Sequence, residues 1–248
     1  LHVRSRRQRQ MCIRDSAYTA ATVNPFGISS VGNYAFPAFV DIDADGDLDL
    51  FIGSQPGNTH FFRNTANPGA TALAYASATT NPFGITDIGD SASPAFADAD
   101  GDGDLDLFIS NADGNTLFFR NTGSTTAPAF AAASTNPFGI TDVGQFASPA
   151  FADADADGDL DLFIGALDGG NTIFFRNTAD PGATAPAYAA ASANPFGITG
   201  VGNFASPAFA DSDGDGDLDL FIGNRAGVTY FFRNTAAPTA GIADTISP

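Results

Sequence analysis

Residues 41–52 read DIDADGDLDLFI, and the same pattern, DxDxDGDLDLFI, returns at residues 98–109, 153–164 and 211–222. Each copy places five aspartates on alternate positions of a nine-residue stretch. Carboxylates held this close repel one another by about 1–4 kcal/mol per pair at 4 Å, depending on the effective dielectric. A bound cation would relieve that repulsion. The pattern therefore predicts a metal-binding loop in every copy, followed by a β-strand of sequence LDLFI.

The ligands that these loops offer suit calcium, which takes about six to eight oxygen ligands in a flexible geometry. We expect the aspartates at loop positions 1, 3, 5 and 9 to donate carboxylates and position 7 its backbone carbonyl, while glycine at position 6 permits a sharp turn. Magnesium needs a stricter octahedron and keeps its waters, and zinc would need cysteine or histidine ligands. We expect about one Ca²⁺ per repeat. The candidate metal ligands are Asp41, Asp43, Asp45, Asp47, Asp49, Asp98, Asp100, Asp102, Asp104, Asp106, Asp153, Asp155, Asp157, Asp159, Asp161, Asp211, Asp213, Asp215, Asp217 and Asp219.

The loops differ from the EF-hand, which also begins D-x-D-x-D-G. An EF-hand requires a bidentate glutamate at position 12 and flanking helices. Position 12 is isoleucine in all four copies: Ile52, Ile109, Ile164 and Ile222. The pattern therefore indicates a calcium loop that leads into a β-strand.

The acidity of the chain is concentrated in these loops. The formal net charge is −18, all 28 acidic residues are aspartate, and each of the four loops holds five of them. Nucleic acid and anionic membrane surfaces are therefore excluded as expected partners. No apolar run approaches the roughly 18 residues of a membrane-spanning helix, so membrane insertion is not expected either. Cys12 is the single cysteine, which rules out an intrachain disulfide.

The first sixteen residues have no counterpart elsewhere in the chain. They hold five of the ten arginines and the only methionine and cysteine. They lack the apolar segment of a signal peptide. Residues 11–16, MCIRDS, correspond to ATG TGT ATA AGA GAC AGN, which resembles a transposase adapter end. We expect residues 1–16 to be a non-native tail on a fragment, so that the missing signal peptide carries no information.

The rest of the chain consists of four copies of one unit. The motif NPFGI recurs in steps of 57, 55 and 58 residues, and the acidic loops recur in the same steps. The copies of NPFGI begin at Asn24, Asn81, Asn136 and Asn194. A second motif, FFRNT, begins at Phe61, Phe118, Phe174 and Phe231. Internal repeats of this kind indicate a repetitive architecture.

Each unit is predicted to contain four short strands. The first is PAFAD, which ends at the first loop aspartate, and the second is LDLFIG, as at residues 48–53. A Gly/Asn turn leads to the third strand, as at residues 116–122, and a weaker fourth strand follows, as at 129–134. Pro and Gly interrupt every segment, and no apolar period of about 3.6 residues is present. The fold class is therefore all-β.

Four-stranded units of this length predict the blades of a β-propeller, because solenoid repeats are shorter, about 20–29 residues in leucine-rich repeats. The propeller spans residues 17–235, and residues 236–248 are a C-terminal linker or fragment end. The chain opens with a lone fourth strand and NPFGI at residues 17–28 and closes after the third strand of the last repeat. Both a closed four-bladed ring and an open arc of a larger propeller fit this order. An open arc would allow self-association.

Together these motifs resemble the FG-GAP/VCBS-like repeat family over residues 17–235. Phe26-Gly27 is similar to the FG element and residues 41–53 are similar to the calcium loop and exit strand, whereas the GAP element is degraded to Gly53-Ser54-Gln55 in the first copy. The family is known from integrin α-chain propellers and from bacterial secreted proteins. The resemblance implies a propeller, usually seven-bladed, with mostly structural calcium sites in the loop between a blade's first two strands. It also implies that other loops bind partners.

Other recurrent residues are expected to be structural. The arginines of FFRNT (Arg63, Arg120, Arg176 and Arg233) are expected to pair with a loop or strand carboxylate, although a cationic rim for acidic sugars is an alternative. The asparagine of FFRNT is expected to cap a turn. The second phenylalanine of FFRNT and that of NPFGI are expected in the core. The other three repeats have no histidine at the position of His60. His60 is therefore expected to be a strand residue without a specific function.

These observations favour a calcium-binding structural or adhesive module of a secreted or cell-surface protein, and they do not favour an enzyme. One histidine and no cysteine outside the first sixteen residues cannot assemble a nucleophilic site. The alternatives are an accessory propeller of a secreted carbohydrate-active or other hydrolytic enzyme and a calcium-dependent receptor. A protein or carbohydrate ligand is the expected partner class in each case.

Overall fold

The structure is a computed structural model that describes residues 20–66, 73–180 and 183–235. The expected tail, residues 1–16, and the expected linker, residues 236–248, lie outside the described residues. Within the described ranges the chain forms fifteen β-strands and three short 3₁₀ turns, and it has no α-helix. No helix in these ranges is long and apolar enough to cross a membrane. The all-β prediction is therefore confirmed.

The strands form one antiparallel sheet per repeat. Sheet 1 contains β1 (Phe36–Val40), β2 (Asp49–Gly53), β3 (Thr59–Phe62) and β4 (Thr79–Thr80). Sheet 2 contains β5 (Ser93–Ala97), β6 (Asp106–Ser110), β7 (Thr116–Phe119) and β8 (Ser134–Thr135). Sheet 3 contains β9 (Ser148–Ala152), β10 (Asp161–Gly165), β11 (Thr172–Phe175) and β12 (Ser192–Ala193). Sheet 4 contains β13 (Ser206–Ala210), β14 (Asp219–Gly223) and β15 (Thr229–Phe232). The 3₁₀ turns are Pro25–Gly27, Pro82–Gly84 and Asp168–Gly170.

The sheets are arranged as a four-bladed β-propeller. In each sheet the strands follow the chain order, and the first strands of successive sheets (β1, β5, β9 and β13) pack beside one another around the axis. Phe36 of sheet 1 stacks on Phe204, which precedes sheet 4, with ring centroids 6.1 Å apart. Sheets 1 and 4 therefore meet at the axis.

The two outer strands are shorter than predicted, because their backbone groups bond to neighbouring segments. The third strand of repeat 2 ends at Phe119, since the N–H of Asn121 donates to Asp106 Oδ1 (2.6 Å). The fourth strand is reduced to Ser134–Thr135 plus a single bridge between Asn121 and Phe130. The N–H of Phe130 donates to the carbonyl of Phe83 in the NPFGI turn (2.7 Å).

The core lies between the sheets. Each of β2, β6 and β10 is buried at all five residues, which explains their nearly continuous apolar sequence. At each interface a phenylalanine of one sheet packs on a phenylalanine of the next sheet's first strand. The three centroid pairs are Phe51–Phe96 (4.9 Å), Phe108–Phe151 (5.0 Å) and Phe163–Phe209 (4.8 Å).

A fourth interface of this kind, between sheets 4 and 1, is not formed among the described residues. Phe39 of sheet 1, whose counterparts pack on the preceding sheet, is 52% exposed, and Phe231 of sheet 4 is 51% exposed. On the free face of sheet 1, Ile28 and Val31 cover the cluster that contains Phe62. We call the gap between sheets 4 and 1, lined by Phe39 and Phe231, the open seam.

Candidate metal centres

Each acidic loop joins the first and second strands of its sheet. In sheet 1 these strands pair antiparallel up to Val40 and Asp49, so the loop begins and ends at neighbouring points. The glycine at loop position 6 has a positive φ in every copy: +90° at Gly46, +90° at Gly103, +97° at Gly158 and +101° at Gly216. This backbone region favours glycine. The expected sharp turn at position 6 is therefore confirmed.

The loop folds around the carboxylate at position 1. In the first copy, Asp41 accepts the N–H of Asp45 (3.1 Å) and the N–H of Gly46 (3.0 Å) on its two oxygens. Asp153 accepts the equivalent pair in the third copy. Asp98 and Asp211 each accept two backbone N–H groups, one from the glycine at loop position 6 and one from the glycine at position 4. The backbone thus turns the remaining carboxylates toward the first.

Three carboxylates converge in every loop. The aspartates at positions 1, 3 and 5 each present an oxygen, and these oxygens lie within 4.8 Å of one another. The four triplets are Asp41, Asp43 and Asp45; Asp98, Asp100 and Asp102; Asp153, Asp155 and Asp157; and Asp211, Asp213 and Asp215. The structure therefore brings together twelve of the twenty predicted ligands in groups that could hold a metal ion.

The aspartate at position 9 lies outside the triplet, at the start of the second strand, and is buried in every sheet. Asp49, Asp106, Asp161 and Asp219 are each 0–2% exposed. Each accepts the backbone N–H of the FFRNT asparagine, at 2.6 Å from Asn64 and Asn121, 2.7 Å from Asn177 and 2.8 Å from Asn234. Position 9 therefore ties the acidic loop to the third strand, a role that the sequence analysis did not assign to it.

The side chain at position 7 also stays outside the triplet. The N–H of Asp47 donates to Asp45 Oδ1 (3.0 Å), and the same turn recurs in the other copies. Asp104 is the buried member of this set, 8% exposed. The expected use of its backbone carbonyl stays a prediction.

Burial changes the acidity of these groups. Burial raises the pKa of Asp49, Asp106 and Asp161 to about 7, against the opposing hydrogen bond from each FFRNT asparagine. Burial also raises the pKa of Asp104 to about 6, helped by neighbouring loop aspartates. At Asp219 burial acts in the same direction, but hydrogen bonds from Ser212 and Asn234 outweigh it and the pKa is lowered. A nearby cation would favour the charged form of all of them.

Several buried carboxylate oxygens have no hydrogen-bond partner among the residues that the structure describes. Asp43 Oδ1 and Asp49 Oδ2 are such atoms in the first loop, and Asp104 Oδ1 is one in the second. A buried polar oxygen without a partner is costly, by about 1–3 kcal/mol or more for a charged group. Hard anionic oxygens left without donors are what a Ca²⁺ ion coordinates. The residues present therefore fit the metal that the sequence predicts.

The FFRNT arginine pairs with position 3 of the loop in every copy. The guanidinium groups of Arg63, Arg120, Arg176 and Arg233 contact the carboxylates of Asp43, Asp100, Asp155 and Asp213. In three copies the arginine also lies 3.6–3.9 Å from position 5. The prediction of a structural partner is confirmed. One arginine against five aspartates leaves each loop strongly negative.

Replacing Arg176 with glutamine is expected to lower the free energy of unfolding by up to about 1 kcal/mol in chelator, because the pair is exposed on the arginine side. The loss should shrink in calcium, since the ion then neutralises the loop. Denaturant unfolding with and without calcium measures both values. Arg225→Gln is the matched control, because the side chain of Arg225 is exposed and forms no ion pair with the residues that the structure describes. An equal loss in both variants would contradict the assignment.

The asparagine and the second phenylalanine of FFRNT take the structural roles that the sequence predicts. Asn64 Oδ1 accepts the N–H of Ala66 (3.0 Å), so the FFRNT asparagine caps a turn as predicted. The second phenylalanine of FFRNT is fully buried in sheets 1–3, as at Phe62. The phenylalanine of NPFGI packs only partly: Phe83 contacts Phe61 at a centroid distance of 5.1 Å, whereas Phe26 is 51% and Phe196 67% exposed.

The asparagine of NPFGI has a role that the sequence analysis missed. Asn81 Oδ1 accepts the N–H of Thr59 (2.8 Å), and the N–H of Asn81 donates to the carbonyl of Thr59 (2.7 Å). Asn136 and Asn194 repeat the side-chain bond with Thr116 and Thr172. The signal that could have found it is the recurrence of this asparagine beside a proline, always after the fourth strand.

The family model of the FG-GAP-like repeat matches residues 41–109, 98–164 and 153–222. Each match runs from one acidic loop through the exit strand of the next loop, and the three together span most of the chain. The chain therefore belongs to the FG-GAP-like repeat family. No curated protein matches it.

Proposed function

We propose that the four acidic loops bind Ca²⁺ and that the ions stabilise a propeller that serves as a structural or adhesive module of a secreted or cell-surface protein. The observation that carries the proposal is the convergence of three carboxylates within 4.8 Å in each of four loops. Four independent copies of one arrangement favour a repeated structural role over a single functional centre.

The first loop illustrates which residues would hold the ion. Asp41, Asp43 and Asp45 offer converging carboxylates, and Asp49 and Asp43 each have a buried oxygen without a protein donor. When bound, calcium supplies two positive charges to a site where carboxylates otherwise repel one another. The residues at positions 1 and 9 hold the loop in shape through their backbone hydrogen bonds.

Binding at these loops would stabilise the whole blade, because the loop connects three strands. It joins β1 to β2, and Asp49 accepts the N–H of Asn64, two residues beyond the end of β3. The arginine of FFRNT adds a second link between the third strand and the loop. Metal affinity would therefore appear as folding stability.

We infer a non-catalytic role. His60 is the only histidine in the described part of the chain, and its ring nitrogens lie 3.3 Å from the hydroxyls of Ser54 and Thr80. No carboxylate orients the ring, and burial lowers its pKa. The other repeats have Leu117, Ile173 and Tyr230 at this position.

We place the module outside the cell, where calcium-binding modules work at modest affinities of about 10⁻⁴–10⁻³ M. Calcium is abundant enough there to fill such sites. The partner class that we propose is a protein or a carbohydrate, bound by loops other than the acidic ones.

The proposal is tested by melting the protein in chelator and then in increasing calcium. We expect the melting temperature to rise substantially with calcium and much less with magnesium, since magnesium demands a stricter octahedron. Circular dichroism follows the transition, and isothermal titration counts the bound ions.

The stoichiometry makes the test sharp. About four ions per chain are expected, and Asp43→Asn with Asp45→Asn should remove one of them while leaving the others. A melting curve in chelator that is identical to the curve in millimolar calcium would rule out the structural role.

A further inference from the structure

The four acidic loops share one sequence pattern, but they differ in burial. We number them 1 to 4 in chain order, so that loop 2 is residues 98–106. In loop 2, Asp100 is 7% exposed and Asp104 is 8% exposed. The aspartates at positions 3 and 7 of the other three loops are half-buried or exposed. Burial lowers the effective dielectric around a carboxylate, so a cation in loop 2 would be attracted more strongly.

Asp104, at position 7 of loop 2, has a carboxylate oxygen without a donor. Its Oδ1 is buried and has no hydrogen-bond partner among the described residues. The carboxylate of Asp102 lies within hydrogen-bonding reach of Asp104, and Asp98 and Asp100 also act on it electrostatically. Ionised carboxylates only accept hydrogen bonds, so none of these neighbours can satisfy the oxygen. Burying such a charge is costly without a counter-charge, and the oxygen therefore indicates a cation beside the triplet.

The arginine of FFRNT neutralises less of loop 2 than of the other loops. Arg120 pairs with Asp100 and, among the described residues, with no other carboxylate. In the other three loops the equivalent arginine also lies 3.6–3.9 Å from the aspartate at position 5. The charge of Asp102 is therefore fully available to an ion, whereas its counterpart Asp45 shares its charge with Arg63.

Loop 2 also lies against the next sheet. A Cβ added at Gly101 would stand 3.7 Å from the carbonyl oxygen of Ala183, which belongs to the outer segment of sheet 3. At Gly214, the equivalent glycine of loop 4, nothing among the described residues lies within 4 Å. A neighbouring segment restricts the movement of a loop, and the rigidity of a calcium site is one of the two properties that set its affinity.

Loops 1 and 3 share some of these properties but do not combine them. In loop 1, Asp43 Oδ1 and Asp49 Oδ2 are buried and have no partner among the described residues. However, Arg63 contacts Asp43 and lies 3.6 Å from Asp45, so an ion would compete with the arginine for two ligands. In loop 3, Asp153 is 4% exposed, but its two oxygens accept backbone N–H groups at 3.2 and 3.0 Å.

We propose that loop 2 is the strongest calcium site of the chain, that it fills first, and that the side chain of Asp104 is one of its ligands. This order of filling rests on the proposed calcium role of the loops. The charge of the ligands is the second property that sets calcium affinity, and loop 2 adds one carboxylate to its triplet. Sheet 2 packs on sheet 1 and on sheet 3, so the first ion would bind to a sheet with a packed interface on either side.

The test is hydrogen exchange, followed by mass spectrometry, on the full chain freed of metal by chelator and then given calcium in sub-stoichiometric steps. The loops give distinguishable peptides, because residues 98–106 read DADGDGDLD and residues 41–49 read DIDADGDLD. We expect the peptide of loop 2 to become protected with the first equivalent of calcium, before the other three. Earlier protection of another loop would overturn the proposal.

A charge-removing variant tests the ligand role of Asp104. Asp104→Asn keeps the size of the side chain and should weaken the tightest site in a calorimetric calcium titration by about tenfold, because one buried carboxylate is lost. Asp47→Asn and Asp159→Asn are the matched controls, since both residues stand at position 7 and are only half-buried. They should leave the tightest site unchanged. An equal effect of all three variants, or an unchanged tightest site in Asp104→Asn, would overturn the ligand role.

The two measurements separate the order of filling from the calcium role itself. Protection of all four loops at one calcium concentration would overturn the order of filling and leave the structural role of calcium in place. The absence of both heat and protection at millimolar calcium would overturn both. The exchange experiment uses the unmodified loops, so the order of filling is decided even if Asp104→Asn does not fold.

Discussion

Replacing Phe108 with alanine is expected to lower the free energy of unfolding by about 3–5 kcal/mol, the range for deletion of a buried aromatic side chain. Phe108 is fully buried between sheets 2 and 3. Its ring packs on Phe118 at 4.8 Å and on Phe151 at 5.0 Å. Removing it would leave a cavity at the interface of two blades, where the surrounding strands cannot collapse.

The measurement is chemical denaturation of the calcium-loaded protein, followed by circular dichroism. Leu73→Ala is the control, because Leu73 is apolar but 46% exposed, and its loss should stay within about 0.5 kcal/mol. Phe51→Ala and Phe163→Ala, at the equivalent positions of sheets 1 and 3, should cost about as much as Phe108→Ala. A loss below 1 kcal/mol at Phe108 would mean that the interfaces between sheets are not the core.

The second large effect is expected at Asp106, where alanine and asparagine should behave differently. Asp106 is 0% exposed, and its oxygens accept the N–H groups of Asn121 (2.6 Å) and Ala99 (3.2 Å). Alanine removes both acceptors, leaves two donors without partners and should cost about 1–3 kcal/mol per orphaned group, with or without calcium. Asparagine keeps one acceptor oxygen and removes the charge.

In chelator, Asp106→Asn should leave the melting temperature nearly unchanged, because the cost of burying a charge disappears. In calcium, the same variant should clearly lower the melting temperature, because the attraction between position 9 and the ion weakens. Thermal melts of both variants under the two conditions give the comparison. Asp113→Asn, a turn aspartate outside the metal loops, is the control and should change neither value. If asparagine cost the same in chelator as in calcium, position 9 would have only its hydrogen-bonding role.

The cooperativity of these effects depends on how the blades are connected. Each sheet buries its faces against its sequence neighbours, so the stability of the array resembles a sum of blade and interface contributions. Phe51, Phe108 and Phe163 each pack at one interface between two sheets, so each variant reports on a single interface. The equivalence of these contacts is the reason that the three variants are expected to cost about the same.

Local patterns in the sequence were enough to predict the strands, the repeat and the loop chemistry. The alternating aspartates with glycine at position 6 predicted a turn that the positive φ of Gly46 confirms, because the requirement is local. The apolar run LDLFI predicted a strand covered on both faces, as β6 is. The recurrent arginine predicted a carboxylate partner, since it was the only recurrent cation among recurrent anions.

The roles that were missed involve residues far apart in the chain. Asp106 stands fifteen residues before Asn121, and the bond between them exists only because β6 and β7 pair. The same holds for Thr59 and Asn81: Thr59 begins β3, Asn81 directly follows β4, and the pairing of these two strands brings them together. Spacing in the sequence does not reveal such partners, because register and strand ends decide them.

By itself, the sequence determined the four repeats, their all-β character and the position of the acidic loops, because these depend on periodicity and on turn chemistry within a few residues. Only the tertiary structure decided which carboxylates converge and which are buried, since convergence requires the folded loop and the paired strands around it. Among the described residues, it also decided that three blade interfaces are packed and that Phe39 of sheet 1 is left exposed. Closing a ring is a matter of the angles between sheets, and no local pattern of residues specifies those angles.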